Sequence, residues 1–452
     1  MKRMTLIASA CVAAALGGTL PLPAHAMDLM GAWQHALGMD PSLMAAGAAR
    51  EAGAEKKVQG DALFKPRVNL TASVTHLDVN SGAFGPPQLS NLLPTESKGT
   101  RREASVTLVQ PIYRADYRAA RKQMHSQSAI AELSYDSARQ DQIQRVAQAY
   151  FNVLLAEERV RLLDAQLAAT GEQASDAKAR FDAGRARIID LRDAEARRES
   201  VHSLRIAAGS ELELRRVQFF EQTGVEAGGL AVMREGFAPQ ASSTPLSAWE
   251  QKAQDNNPQL QTRLRQLEAA RAETERHKRV SRPTLDLVAS HGELRTTGDV
   301  SPLVSPERTR SNTIGLQLNI PLYQGGALDS QQREAAAKLR EAQFNVDAAR
   351  RDVRLQVRDA WLAVSDGAAQ VLALEQSVKA ARTAQEAAEL GREVGMRTTL
   401  DVLNAQQGVY SAMFDLSKAR VSWLMGSLRL SAAAGGLGDE EVRAVNAYLA
   451  ER

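Results

Sequence analysis

The sequence is poor in cysteine and in aromatic residues. Its one cysteine is Cys11, and aromatic residues make up 4% of the 452 residues. Cys11 lies in residues 1–26, which have the features of a signal peptide: Lys2 and Arg3, an apolar run and a small-residue cleavage site ending at Ala26. The exported chain would then have no cysteine, which excludes disulfides even in an oxidising compartment.

A lipoprotein is the alternative interpretation of this N-terminal segment. Cleavage would then fall just before Cys11, but residues 8–10 contain no large aliphatic side chain and leave a very short apolar core. We therefore expect cleavage after Ala26.

The chain also lacks a strong charge and, beyond residue 26, a long apolar run. Its formal charge is +3, and removal of Lys2 and Arg3 leaves +1 because residues 1–26 contain no acid. A near-neutral chain gives no reason to expect nucleic acid as a partner. No later apolar run reaches the roughly 18 residues of a membrane-spanning helix, so any membrane crossing would have to use β-structure.

Signatures of catalysis are missing as well. The sequence has no phosphate-cradling glycine loop, and no serine or cysteine stands with a recurring base. The histidines after residue 26 are scattered without the spacing of metal ligands: His35, His76, His125, His202, His277 and His291. We expect neither an enzyme nor a cofactor-binding or metal-binding protein.

What the chain does have is an internal repeat with an offset of 211 residues. The segment GRARIIDLRDAEA, Gly184–Ala196, corresponds to GMRTTLDVLNAQQ, Gly395–Gln407. Each copy has a glycine, five variable residues, an aspartate and a helical run. We predict a signal peptide at 1–26, a first repeat at 27–222, a linker at 223–245, a second repeat at 246–434 and a C-terminal tail at 435–452.

Both repeats show the same order of predicted elements. A helix of about 36 residues, interrupted early by proline, leads to two strands in which apolar and polar residues alternate. A helix of about 68 residues follows, roughly 100 Å long, and then a tip and a return helix. The strands are predicted at 67–79 and 103–111 and at 284–294 and 311–320, and the tips at 184–190 and 395–401.

A heptad pattern runs through both long helices. Valine or leucine recurs every seven residues at Val146, Val153, Val160 and Leu167, and again at Val357, Val364, Val371 and Val378. This pattern indicates coiled-coil packing. An amphipathic helix on a globular core is the alternative, but it does not explain such a length repeated twice.

A proline and a tyrosine follow the second strand of each repeat. These residues are Pro111 and Tyr113 in the first repeat and Pro321 and Tyr323 in the second. We predict that each pair forms a bend from strand into helix with a buried tyrosine. Ordinary strand termination explains the prolines equally well, but it does not explain the repeated tyrosine.

The four predicted strands have one apolar and one polar face. A small amphipathic sheet on a soluble core is one interpretation. In a bilayer, however, every backbone amide must be paired, and four strands cannot close on themselves. Several copies would then share one barrel. Three copies would give twelve strands, although the sequence does not choose three over two or four.

This order of elements, with the segments GMRTTLDVLNAQQ and NIPLYQGG, resembles the TolC family of outer-membrane channel proteins over essentially the whole mature chain. The resemblance implies a mainly α fold with a membrane β-barrel portion. The twelve-stranded barrel of a homotrimer would lie in the outer membrane, in contact with lipid, continuous with a periplasmic α-helical coiled-coil tunnel that holds most of the mass.

The resemblance also implies partners and a function. The partners would be a periplasmic adaptor and an inner-membrane ABC or proton-driven transporter. The chain would be the outer-membrane exit duct of such a tripartite export system, and we favour type I protein secretion. The alternatives are multidrug or solute efflux and, more remotely, a structural periplasmic coiled-coil protein.

Turn chemistry alone explains several residues of the tips. Gly184 and Gly395 stand where a left-handed glycine ends a helix. Thr398 and Asp401 have the spacing of a capping box that begins the next helix.

The resemblance adds a gate at the same place. It implies that Asp190, Arg397 and Arg392 belong to links that hold the periplasmic entrance shut, and that Asp401 and Asn404 ring the pore constriction. Two residues depart from the family pattern: Asn404 stands where an acid is expected, and Arg392 replaces a tyrosine of the links. The ring should therefore be less acidic, and the cation at 392 either pairs with an acid or opposes Arg397.

Overall fold

A computed structural model of the chain describes residues 27–80, 96–234, 237–299 and 308–450. The predicted signal peptide, and the middle of each loop between the paired strands, lie outside the described residues. Among the helices that are described, none combines the length and the apolar character needed to cross a membrane.

The first repeat begins with two short helices that meet at a proline. Asp40 caps the second helix, since its carboxylate accepts a hydrogen bond from the Ser42 amide at 2.7 Å, and Pro41 occupies the first helical position. The elements of this half are α1 (Leu29–Ala36), α2 (Pro41–Ala62), β1 (Arg67–Asn80), β2 (Glu96–Tyr113), α3 (Tyr117–Asp182) and α4 (Ile188–Thr223).

The second half uses the same device. Asn257 precedes Pro258, and its side-chain oxygen accepts a hydrogen bond from the Leu260 amide at 3.0 Å. The elements are β3 (Val232–Met233), α5 (Leu246–Asn256), α6 (Pro258–Arg279), β4 (Thr284–Asp299), β5 (Arg308–Asn319), α7 (Ala327–Glu393), α8 (Thr399–Ala433), α9 (Asp439–Asn446) and β6 (Leu449–Ala450).

Each long helix packs against a shorter helix on either side of its midpoint. In the first half, α3 contacts α2 and α4, and in the second, α7 contacts α6 and α8. The heptad residues form the contact seam: Val146, Val153, Val357 and Val371 are fully buried. Because α3 also packs against α6 and α8, the two coiled coils form one helical body.

The four long strands form one antiparallel sheet in the order β1-β2-β4-β5. Pairing of β2 with β4 joins the two repeats, while β1 and β5 lie at the two edges. Several strands extend beyond the predicted bounds: β2 begins at Glu96 rather than 103, and β4 ends at Asp299 rather than 294. The strands continue to pair beyond the point where charged residues interrupt the alternation of apolar and polar side chains. Strand pairing uses only backbone amides and carbonyls, so it does not depend on that side-chain pattern.

The structure differs from the predicted bends in the path of β2 and in the exposure of both tyrosines. β2 does not stop at Pro111 but runs on to Tyr113, with a bulge between these two residues that accommodates the missing amide of proline. β5 ends at Asn319, before Pro321. The prediction of buried tyrosines was wrong for the single chain, since Tyr113 is 48% and Tyr323 85% exposed.

An ion pair joins the two repeats where the sheet meets the helices. The Arg114 guanidinium, directly after β2, donates to both carboxylate oxygens of Asp286 on β4, with Nε to Oδ1 at 3.0 Å. Asp286 is largely buried. Such a bidentate pair fixes direction as well as distance, so it orients α3 relative to the sheet.

Candidate functional site

The two tips, where α3 turns into α4 and α7 into α8, have the same backbone geometry. Gly184 and Gly395 are left-handed, with φ of 67° and 74°. The next residue donates to a carbonyl five positions back: Arg185 to Arg180 at 2.8 Å, and Met396 to Gly391 at 2.7 Å. This is the hydrogen-bond pattern of a Schellman turn, which ends a helix sharply.

In the second tip, Thr398 and Asp401 form a complete capping box. The Asp401 amide donates to the Thr398 hydroxyl at 3.1 Å, and the Thr398 amide donates to the Asp401 carboxylate at 2.8 Å. The bond from the backbone amide, followed by that from the Thr398 hydroxyl, lowers the pKa of Asp401. Asp401 is therefore ionised at neutral pH at the start of α8, where the helix dipole favours a negative charge.

In the first tip, one of the two hydrogen bonds of the capping box is missing, and an ion pair takes its place. Arg187 stands at the position of Thr398, but its side chain has no oxygen with which to accept a hydrogen bond. Its backbone amide donates to Asp190 at 3.2 Å, and its guanidinium lies 3.2 Å from both carboxylate oxygens. These bonds, with the guanidinium first, lower the pKa of Asp190. The sequence interpretation missed Arg187, although the repeat aligns it with Thr398.

Arg392 pairs with an acid of the other coiled coil. Its Nη1 lies 3.8 Å from Oδ2 of Asp176 on α3, and the Arg392 side chain is mostly buried. The Nε of Arg392 has no hydrogen-bond partner in the part of the chain that the structure describes. From the sequence, the cation at 392 is expected either to pair with an acid or to oppose Arg397. In the single chain, Arg392 pairs with an acid.

Asn404 also lies in a contact between the two coiled coils. Arg197 of α4 donates to the Asn404 side-chain oxygen at 2.8 Å and to that of Gln407, one helical turn further along α8. This bridge was not predictable from the sequence, because Arg197 and Gln407 do not correspond in the repeat. Together with Arg392 and Asp176, it links the two coiled coils near the tips.

Arg397 makes no ion pair within 4 Å in the described residues. It packs instead on Gly391, where an added Cβ would lie 2.7 Å from the Arg397 Cγ. The structure therefore does not bring Arg397 and Asp190 together in one chain. Gly391, which the sequence interpretation missed, leaves the space that the Arg397 side chain occupies.

The tips expose large apolar side chains beside these charged groups. Met396 is 83% exposed, and the others are Ile188, Ile189, Val394 and Leu400. Exposed apolar clusters of this kind mark surfaces that contact other proteins. Within the described residues, no group of acids, histidines and cysteines could hold a metal ion.

Comparison with known proteins gives a family match in both halves of the chain. A family model described as "Outer membrane efflux protein" matches residues 32–221 and 249–436. Outer membrane protein TolC from Vibrio cholerae is 30% identical over 439 residues, which is 97% of this chain and 97% of that protein. Proteases secretion protein PrtF from Dickeya chrysanthemi is 31% identical over 438 residues, or 94% of this chain and 92% of that protein.

Solved structures share the fold. The crystal structure of outer membrane protein VceC from Vibrio cholerae superposes with a TM-score of 0.76 at 19% identity and covers 90% of this chain and 96% of that chain. Duplicated long helices and a four-stranded sheet are thus the architecture that the two chains share.

Proposed function

Because the chain belongs to the outer membrane efflux protein family, and is an outer-membrane export duct with a helical part in the periplasm, we propose that it serves type I protein secretion. The observation that supports this function is the similarity to the proteases secretion protein over nearly the full length of both chains. Small-molecule efflux is the second candidate, and the description of the family model supports it.

We propose further that the duct is a homotrimer. The sheet has four strands, and its edge strands β1 and β5 each pair with a single neighbour. Unpaired edges are costly in a bilayer, and twelve strands from three copies form a barrel of a size known for single-chain proteins. The helical bodies of the copies would continue the barrel as a tunnel.

The tips are proposed as the periplasmic gate. Within one chain, the contacts of Arg392 with Asp176 and of Arg197 with Asn404 hold the two coiled coils together. Arg397 makes no ion pair within 4 Å in the described part of its own chain, although its charge also lowers the pKa of Asp401, and we propose that it pairs with Asp190 of a neighbouring copy. We expect Arg397→Ala and Asp190→Ala to raise the conductance of the closed duct in planar bilayers.

Asp401 is the proposed acid of the pore constriction. Three copies would place three carboxylates around one axis, whereas Asn404 adds no charge. The exposed apolar side chains of the tips, such as Met396 and Ile189, suit the proposed contact with a periplasmic adaptor, through which an inner-membrane ABC transporter would deliver the cargo.

The test of this function compares two phenotypes in a deletion strain. If the duct serves type I secretion, deletion should remove a large protein from the culture supernatant, and the wild-type chain should restore it. Drug susceptibility should be unchanged. An unaltered supernatant together with increased drug sensitivity would reject secretion in favour of efflux.

A further inference from the structure

Four arginines lie on one face of the sheet, toward the strand ends that are farther from the helices. The register places Arg102 of β2 opposite Arg295 of β4, and Arg295 opposite Arg308 of β5. In the adjacent row, Arg310 lies opposite Glu293. Paired residues of an antiparallel sheet point to the same side, so these five side chains share a face. We call the four arginines the arginine cluster.

This face is also the apolar face of the sheet. Val74 of β1 pairs with Arg102, and Leu70, four residues earlier on the same side, is 74% exposed. On β5, Ile314 lies four residues beyond Arg310 and is 78% exposed. In an outer-membrane protein, an exposed apolar band of strand residues faces the lipid. The arginine cluster therefore borders the lipid-facing band on its outer side.

One carboxylate organises the arginine cluster. Glu293 accepts from Arg295 Nε at 2.7 Å, Arg308 Nη2 at 2.7 Å and Arg310 Nε at 3.2 Å. Arg102 makes no ion pair among the described side chains. The cluster and its glutamate thus carry a net charge of about three positive units, since arginine stays protonated in proteins. A hollow of about 450 Å³ lies over Arg102, Arg295 and Glu293.

Such a concentration of cations favours an anionic partner at the membrane. An arginine on the lipid face of a barrel costs about 2–4 kcal/mol at the bilayer midplane and about 0–1 near the interface. The position at the border of the apolar band therefore fits the depth of the headgroups. Guanidinium groups match phosphate in a bidentate arrangement, and each arginine bound to Glu293 keeps further N–H donors.

We propose that the arginine cluster binds the phosphate groups of a phosphorylated glycolipid in the outer leaflet of the outer membrane. The helices lie on the periplasmic side, so the strand ends away from them reach the outer leaflet. The inference depends on the membrane position of the sheet and not on the cargo of the duct. Glu293 holds three guanidiniums in place, and Arg102 completes the site from the neighbouring strand.

The test measures binding of diphosphorylated lipid A to the full-length protein in detergent micelles, by native mass spectrometry. The variant is Arg102→Gln with Arg295→Gln. The matched control is Arg101→Gln, because Arg101 is adjacent to Arg102 but pairs with Thr75 and Thr296 on the opposite face. We expect the control to bind as the wild type does and the double variant to bind at least tenfold more weakly.

Further probes identify the ligand. Monophosphorylated lipid A should bind more weakly than the diphosphorylated form, and phosphatidylglycerol more weakly still. If phosphatidylglycerol bound as tightly as lipid A, the assignment of a glycolipid as the ligand would be wrong. If millimolar inorganic phosphate displaced lipid A, the assignment of any lipid as the ligand would be wrong. Equal loss of binding in the double variant and in Arg101→Gln would also reject the arginine cluster as the site.

Two further measurements keep the test independent of folding and of the duct function. Glu293→Gln should weaken lipid A binding, because three guanidiniums lose the carboxylate that holds them in place, whereas unchanged or stronger binding would contradict the proposal. Conductance of the double variant in phosphatidylcholine bilayers should equal that of the wild type. If the double variant loses lipid binding but keeps normal conductance, the lipid site is supported. If the wild type binds lipid A but shows no conductance, only the proposed duct function is rejected, and the lipid site is not.

Discussion

Arg392 and Asp176 illustrate how a single substitution changes the pairing in the proposed gate. The resemblance to the family implied a tyrosine at the position of Arg392, and a tyrosine hydroxyl would share only a hydrogen bond. Here a mostly buried guanidinium meets a carboxylate of the other coiled coil. Asp176 also accepts from Arg180 of its own helix, so it stands between two cations.

Breaking this pair should loosen the closed duct. An ion pair with one exposed partner stabilises the closed state by about 0–1 kcal/mol. Because three copies would open together, their contributions add in one opening step. Every 1.4 kcal/mol changes the equilibrium between closed and open states about tenfold. We expect Arg392→Gln to raise closed-state conductance severalfold in planar bilayers. The control Arg192→Gln, which removes a pair with Glu195 within one helix, should leave the current unchanged. Equal currents for both variants would contradict the link.

Asp401 supplies a prediction of pH dependence. Its bonds from the Thr398 amide and hydroxyl lower its folded pKa below the ordinary 3.8. The carboxylate therefore caps α8 at every pH above that ordinary value, and the stabilisation disappears as the pH falls through the folded pKa. Three ionised Asp401 carboxylates around the proposed constriction should bind multivalent cations, which would then block the duct. We expect this block to persist at pH 5 and to weaken only below about pH 4.

Thr398→Ala checks the cause of this dependence. Without the hydroxyl bond, the pKa of Asp401 should rise toward its ordinary value, so block should begin to weaken at a higher pH. Asp401→Asn should weaken block at all pH values and reduce cation preference. A reversal potential of Asp401→Asn equal to that of the wild type would show that this carboxylate does not line the constriction.

At the scale of elements, the left-handed glycines decide where the long helices end. An added Cβ at Gly395 would meet no atom within 4 Å, so alanine there is opposed only by its backbone conformation, at about 1–2 kcal/mol. Gly408, within α8, also has open space around it, and alanine there should stabilise the helix by up to about 1 kcal/mol.

We therefore expect opposite effects from the same chemical change. Gly395→Ala should speed hydrogen exchange of the amides around the second tip, and Gly408→Ala should slow exchange in α8. Hydrogen exchange followed by mass spectrometry resolves both regions in the full chain. Faster exchange in both variants would mean that the added methyl, and not the left-handed backbone, disturbs the tip.

The elements were predictable from the sequence where a repeated local signal marked them. The heptad indicated the coiled coils, and glycine with aspartate at the same offset indicated the tips. The start of β2 at Glu96 was not predictable, because Lys98, Arg101 and Arg102 interrupt the apolar alternation while the backbone ladder continues. Arg197 was missed because its partners on α8 are set by tertiary packing, which a repeat does not encode. Arg187, in contrast, pairs with Asp190 only three residues away, so its spacing in the sequence could have indicated it.

At the scale of the whole molecule, the sheet itself requires further copies. Edge strands β1 and β5 are separated by two other strands, and three spacings of about 4.8 Å place them roughly 14 Å apart across the sheet. A disulfide requires Cα atoms less than about 7 Å apart. Cysteines on β1 and β5 of one chain therefore cannot bond to each other, whereas those of neighbouring copies can if the barrel closes.

This geometry gives a direct test of the trimer. Thr71→Cys on β1 would be combined in turn with Thr309→Cys, Ser311→Cys or Thr313→Cys on β5, all on the polar face, in a chain that also carries Cys11→Ala. We expect oxidation of one of these pairs to yield covalent dimers and trimers, but no larger species, on denaturing gels. As a control, Thr71→Cys with Ser105→Cys, which pair within one chain, should give only a cross-linked monomer. A ladder that continues to four copies, or ends at two, would reject the twelve-stranded barrel, because a closed ring of copies limits the covalent species to the number of subunits.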